Sequence, residues 1–267
     1  MNIKKVLNRI LTATLICGTA LLVSCKKDSD DMDVAGKIIG NWIADSKGGE
    51  PFLTNEKVVL NFISTNKALM SGSFSNNPAA GASWIHDAAC EVVIDGNKVS
   101  LTSQYDPQTI TEIVFDMIHI SKGEFTATQD FTIKINGTEV LNRHYVVHYV
   151  KKNVDYTADI IGTWQGRCTS KGSAYDDGQE HRWQYLDNGT YVYYVKDGDN
   201  WVPGDNTVSE YFVAGSLLCT RWEIDDQSYR EWWEISIQGN TMYWVGLRQD
   251  EGGKTTRVSF QMNKVLK

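Results

Sequence analysis

Apolar and polar positions alternate with a period of two along most of the chain, in short runs. In the first half these runs are Val58–Ile63, Ala89–Ile94, Lys98–Ser103, Glu112–Ile120, Gly123–Ile135 and Glu139–Val150. The second half contributes His181–Leu186, Thr190–Lys196, Val208–Val213, Leu217–Ile224, Tyr229–Ile237, Thr241–Leu247 and Lys254–Met262. Turn-forming groups separate them, among them Asp95-Gly96-Asn97, Asn136-Gly137, Asp187-Asn188-Gly189, Asp225-Asp226 and Glu251-Gly252-Gly253. Asp-Gly and Asn-Gly between β-rich runs mark hairpins, because these residues tolerate the positive φ of tight turns. No helix of useful length is expected. The pattern predicts an all-β chain of up-and-down antiparallel hairpins, and closure into a barrel is the cleanest way for such a meander to hide its edges.

An internal repeat divides the meander in two. Ile38-Ile39-Gly40-Asn41-Trp42 recurs as Ile160-Ile161-Gly162-Thr163-Trp164. Each copy follows a short polar lead-in, Asp33–Lys37 and Asp155–Asp159, and precedes a Lys-Gly loop at Lys47-Gly48-Gly49 and Lys171-Gly172-Ser173. Each unit closes on a β-rich segment, Arg143–Val150 and Arg257–Met262. With the linker at Lys151–Asp155, the boundaries fall at 34–152 and 156–267: two tandem up-and-down antiparallel β-barrels, each long enough for a modest core.

Ahead of them, Lys4, Lys5 and Arg9 precede an apolar stretch from Ile10 to Val23 that is broken only by Thr12, Thr14, Gly18 and Thr19. The stretch is shorter than the ~20 residues that span a bilayer, which favours a secretory signal. It ends in Leu22-Val23-Ser24-Cys25, which resembles the bacterial lipobox. The resemblance implies that residues 1–24 are a lipoprotein signal peptide. Cys25 would be diacylated, and residues 25–33 would form a flexible acidic tether. Two acyl chains hold a protein stably on a membrane, so the protein is expected to be lipid-anchored at the outer membrane, on its periplasmic or cell-surface side. The acidic tether also resembles the surface-export signal of Bacteroidetes lipoproteins; a plain solvated spacer explains it equally well.

Gly40-Asn41-Trp42 and Gly162-Thr163-Trp164, each heading a meander, resemble the Gly-x-Trp pattern of lipocalins. Both units look like the lipocalin-like domains of Bacteroidetes lipoproteins, over nearly all of the mature chain. The resemblance implies that Trp42 and Trp164 plug one end of each barrel beneath an Arg from a late strand. Arg143 and Arg257 are the candidates for that Arg. The other lipocalin sequence motifs are absent. Barrel-floor packing accounts for these four residues better than ligand contact does.

Composition narrows the function. The 267 residues carry a formal net charge of −7, which argues against nucleic acid, where a basic stripe should dominate. No catalytic cluster, cofactor motif or metal site is expected. His144 and His148 share one side of a strand but stand about 13 Å apart along it, too far for one metal ion. Glu231 and Glu234 point to opposite faces of theirs, which spoils a shared acid–base role. A non-enzymatic role follows as the expectation. Cys90, Cys168 and Cys219 remain in the mature units; Cys168 with Cys219 would be the natural pair if a disulfide forms, but buried free thiols, which behave as small apolar side chains, are the favoured reading.

The aromatic residues carry the strongest signal. Trp164, Trp183, Trp201, Trp222, Trp232, Trp233 and Trp244 crowd the second unit, against Trp42 and Trp84 in the first. Strand alternation sorts them by face. Trp183 with Tyr185, Tyr193 with Tyr191, Trp233 with Tyr229 and Glu231, and Trp244 form inward sets that would line a barrel around a small apolar or planar ligand. His181 or Glu231 would be its polar contact. Trp222, Trp232 and Tyr243 fall on the opposite faces, where exposed rings would stack on sugars. Three readings therefore stand. The first is non-catalytic binding of a small hydrophobic or amphipathic molecule; the second, a surface carbohydrate-binding protein; the third, solid barrels with a protein partner.

Overall fold

A computed structural model describes residues 32–52, 57–72, 84–104, 106–171, 176, 178–205, 208–224, 227–249 and 254–266. The expected signal peptide, Cys25 and nearly all of the expected tether lie outside the described residues, as do the turns expected at Asp225-Asp226 and Glu251–Gly253. Asp33–Lys267 is one compact unit. It is almost wholly β, and among the described residues no helix is long and apolar enough to cross a membrane.

The chain enters through one helical turn, α1 (Val34–Ile38), capped by the Asp33 carboxylate, which accepts from the Gly36 N–H at 2.9 Å. Such a cap satisfies one of the orphan donors of a helix start. This turn occupies the polar lead-in, where Val34 and Ile38 are both buried. Nine strands follow: β1 (Gly40–Lys47), β2 (Glu50–Pro51), β3 (Val58–Ser64), β4 (Lys67–Gly72), β5 (Ile85–Asp95), β6 (Lys98–Gln104), β7 (Thr109–Ile120), β8 (Glu124–Ile135) and β9 (Thr138–Lys151). All neighbours from β3 to β9 are antiparallel, and β9 returns to pair with β1, closing an eight-stranded barrel to which β2 is appended. Strand β4, absent from the apolar alternation, is found by its partners: Ala68, Met70 and Ser71 are buried between β3 and β5. Aromatic rings pack together inside the barrel. Phe125 lies 5.0 Å from Trp42, 5.5 Å from Phe115 and 4.7 Å from Tyr149, centroid to centroid.

The second set comprises β10 (Gly162–Cys168), β11 (His181–Tyr185), β12 (Tyr191–Asp197), β13 (Asn200–Pro203), β14 (Val208–Ala214), β15 (Leu217–Ile224), β16 (Gln227–Gln238), β17 (Thr241–Gln249) and β18 (Thr255–Lys264). Their order is β13-β12-β11-β10-β18-β17-β16-β15-β14. The sheet curls into a half-barrel in which β14 touches the head of β12 at the Thr190–Glu210 bridge, where the Tyr211 N–H donates to the Gly189 carbonyl at 2.8 Å.

The repeated sequence builds the same floor in both sheets. The indole N–H of Trp164 donates to the Ile160 carbonyl at 2.6 Å, and that of Trp42 to the Ile38 carbonyl. The expected arginines do not cover these rings. Arg143 and Arg257 are both exposed: Arg257 alternates with buried Val258 and Phe260, whereas Arg143 shares the face of buried Phe131, its ladder partner, and still stays in solvent. Lysines take the place instead: Lys151 Nζ stands 4.9 Å from the Trp42 ring centroid and Lys264 Nζ 5.1 Å from that of Trp164. Gly40 and Gly162 have φ of 124° and 129°, and a Cβ there would come within 2.6 Å and 2.8 Å of the Lys151 and Lys264 Cε atoms. The repeat therefore needs its glycine for backbone conformation, and a Cβ would also displace the flexible end of the lysine that covers the tryptophan.

The outer face of β14–β16 packs on the first barrel. Ile43 and Val59 join Phe212, Leu217, Cys219 and Trp232 in one buried cluster. Trp84 packs against Phe212 at 4.8 Å and Trp232 at 5.8 Å, and Lys152 Nζ reaches Glu234 at 2.8 Å. Trp232, expected on an exposed face, is fully buried in this contact.

Candidate functional site

A cavity of about 400 Å³ opens within the curl of the second sheet. That volume lies in the range of small-molecule sites. Alternation along each strand explains its walls. Trp183 and Tyr185 come from β11, Tyr191 and Tyr193 from β12, Glu231 and Trp233 from β16, and Trp244 from β17. All six residues singled out from sequence as inward (Trp183, Tyr185, Tyr193, Glu231, Trp233 and Trp244) line this one space. The rings contact one another as well as the cavity: Trp183 lies 4.7 Å from Trp244, and Trp233 5.9 Å from both Trp244 and Phe260.

The structure adds residues that the sequence reading left out. Arg248 is the most consequential. It follows Trp244 and Gly246 at a spacing of two on β17 and so shares their face, a signal present in the sequence one residue beyond the expected strand end. Its guanidinium forms an ion pair with Glu231 and stands 5.2 Å from the Trp233 ring centroid. The Trp233 indole N–H donates to the other Glu231 oxygen at 3.1 Å. Burial pushes the Glu231 carboxyl up to about 8, against the opposing pull of the Trp233 N–H. It pushes the Arg248 guanidinium down to about 10. Burial also raises the Tyr185 and Tyr191 phenols, and Glu231 adds to both shifts through its charge.

His181 lines the same cavity, its Nδ1 3.3 Å from the Tyr193 hydroxyl. Trp222, expected outside, instead borders the cavity and stacks on Tyr229 at 5.5 Å. Tyr229, expected inside, keeps 41% of its surface exposed, as does Tyr243. With Trp232 buried and Trp222 on the cavity wall, the outer aromatic platform of the sugar-stacking reading is not assembled from these two residues.

The remaining candidates disperse. Glu234 faces the first barrel while Glu231 faces the cavity, as alternation requires. His144 pairs with Asp130 at 2.6 Å, and His148 lies 3.1 Å from Asp45 and 3.5 Å from Glu124. Among the described residues no cluster of His, Cys, Asp and Glu is arranged to hold a metal. None of Cys90, Cys168 and Cys219 is in a disulfide: Cys168 packs on the cavity side of the second sheet and Cys219 on the side facing the first barrel.

No family model matches the chain, and no curated protein matches it in sequence. Among solved structures, it is similar to a protein of unknown function of the DUF3598 family from Nostoc punctiforme PCC 73102. The two are 11% identical over 88% of this chain and 99% of that one, with a TM-score of 0.24. It is also similar to a double mutant of the vaccine antigen transferrin binding protein B from Haemophilus parasuis Hp5, at 8% identity and a TM-score of 0.23. That match covers 83% of this chain and 62% of the other, so the chain spans less than two thirds of that protein.

Proposed function

We propose that the protein is an acylated outer-membrane lipoprotein of the Bacteroidetes lipocalin-like type, anchored through Cys25. Its second sheet, the half-barrel, binds a small hydrophobic or amphipathic molecule without catalysis. The observation that carries the reading is the cavity of about 400 Å³, walled largely by tryptophan and tyrosine, with Glu231 set against Arg248 in its wall. Apolar walls with few convergent polar groups are the usual make-up of ligand sites. The first barrel, with Trp42, Phe115, Phe125 and Tyr149 packed together inside it, serves as the support for the second sheet.

Native mass spectrometry of the whole chain, incubated with pooled envelope lipids and separately with pooled oligosaccharides, tests this. A retained lipid-sized adduct that disappears in Trp233→Ala supports it. Sugar adducts would favour a carbohydrate-binding protein, and bare protein in both pools would point to a protein partner. Labelling with palmitate in cells, lost in Cys25→Ala, tests the anchor.

A further inference from the structure

The cavity of the second sheet carries more polar chemistry than an apolar ligand uses. Tyr185 is fully buried and Trp244 is 3% exposed, and both line the cavity. Among the described residues, neither the Tyr185 hydroxyl nor the Trp244 indole N–H has a hydrogen-bond partner. Buried donors in folded proteins are almost always satisfied, so two orphaned donors around one cavity mark the place of an acceptor atom. The third group is Arg248, which pairs with Glu231 in the same wall. A guanidinium carries five N–H donors in a planar fork and can serve two carboxyl groups at once.

We infer that the cavity takes an amphiphile bearing a single carboxylate, received by Arg248, Tyr185 and Trp244, with its apolar body against Trp183, Trp233 and Phe260. This rests on the ligand-binding reading above and names the ligand class for the same site. Glu231 balances the charge. The groups around it are Arg248 from β17, Tyr185 from β11, Tyr191 from β12 and Thr220 from β15, with His181 and Asp205 farther along the same wall. Burial favours its neutral form up to about pH 8. Below that pH the ligand supplies the negative charge on Arg248, and Glu231 stays on the Trp233 N–H as an acid. Above it, the ionised Glu231 competes for Arg248, and affinity falls as pH rises.

Three probes of one shape test this by tryptophan fluorescence titration of the whole chain: 2-naphthoate, 2-acetylnaphthalene and 2-ethylnaphthalene. Near neutral pH, 2-naphthoate should bind at least about tenfold tighter than either neutral probe. Arg248→Met should erase that preference and leave 2-ethylnaphthalene binding in place, which also reports that the cavity is still folded. Above about pH 8 the 2-naphthoate affinity should fall about tenfold per pH unit, and Glu231→Gln should remove the fall. If 2-naphthoate binds no tighter than 2-ethylnaphthalene, the carboxylate inference fails and the cavity remains a ligand site. If none of the three binds, both readings fall together.

Discussion

Lys264 stands over Trp164 across the β10–β18 ladder, its Nζ 5.1 Å from the ring centroid and 3.1 Å from the Asp159 carbonyl that accepts its hydrogen bond. Lys151 does the same over Trp42, across the β1–β9 ladder, and donates to the Lys37 carbonyl at 3.1 Å. In each sheet the pair ties the start of the first strand to the end of the last. The tryptophan is held from below by a carbonyl four residues earlier and from above by a cation.

Truncating either lysine should therefore loosen its own sheet. Lys264→Ala and Lys151→Ala are each expected to cost about 1 kcal/mol, from one cation–π contact and one hydrogen bond. Arg143→Ala and Arg257→Ala, both exposed, should stay within about 0.5 kcal/mol of wild type. Gly162→Ala should cost more than the lysine change, since φ of 129° and Lys264 Cε both oppose a Cβ. Urea unfolding curves of the five variants rank these costs. An Arg257→Ala loss matching that of Lys264→Ala would return the role to arginine.

Strand alternation made the cavity legible before any coordinates, because Trp183, Tyr185, Trp233 and Trp244 sit at positions of one parity on their strands. It also put Glu231 inside and Glu234 outside. Alternation cannot say what covers an outer face. Trp232 reads as exposed on its own strand and is buried only because β14–β16 meet Ile43, Val59 and Trp84 of the first barrel. The lysine–tryptophan floor was missed for a related reason. Register across a ladder, not local pattern, puts Lys264 opposite Trp164 and leaves Arg257 outside. Strand β13 is four residues long, and β4 buries the three successive positions Met70, Ser71 and Gly72, which breaks a period of two.

The adjacent tryptophans of β16 should separate stability from binding. Trp232→Ala empties a filled contact between the two sheets and is expected to cost about 3–5 kcal/mol. Affinity for any ligand of the cavity, measured well below the midpoint of unfolding, should hardly change. Trp233 borders open space on one side, so Trp233→Ala should cost less stability while abolishing binding. Equal effects of the two variants on affinity would mean that the contact between the sheets, and not the cavity wall, controls the site.

The thiols should differ in reactivity by place. Burial pushes Cys90 up to about 11 and Cys219 well above the ordinary thiol range, so neither presents a thiolate near neutral pH. Cys168 is only half-buried. Alkylation of the native protein, read by peptide mass mapping, should label Cys168 first and the other two only after unfolding. Early modification of Cys219 would show that the contact between the sheets opens in solution.

Glu231 should make stability depend on pH in a direction opposite to that of an ordinary paired carboxylate. Unfolded, it titrates near 4.5; folded, burial moves it up to about 8. The folded state thus holds the proton more tightly. Its contribution is complete below about pH 4.5, declines across the interval and is lost once pH has risen through about 8. Gln at this position keeps an acceptor for the Trp233 indole N–H but cannot ionise. Glu231→Gln is expected to match wild type near pH 5 and to melt at a higher temperature than wild type near pH 9, with Arg248 muting the difference by stabilising the ionised form. Thermal melts of both proteins across that range decide the matter. A gap that stays constant with pH, or one that widens toward acid, would mean that the pairing with Arg248 outweighs burial in setting the charge of the cavity.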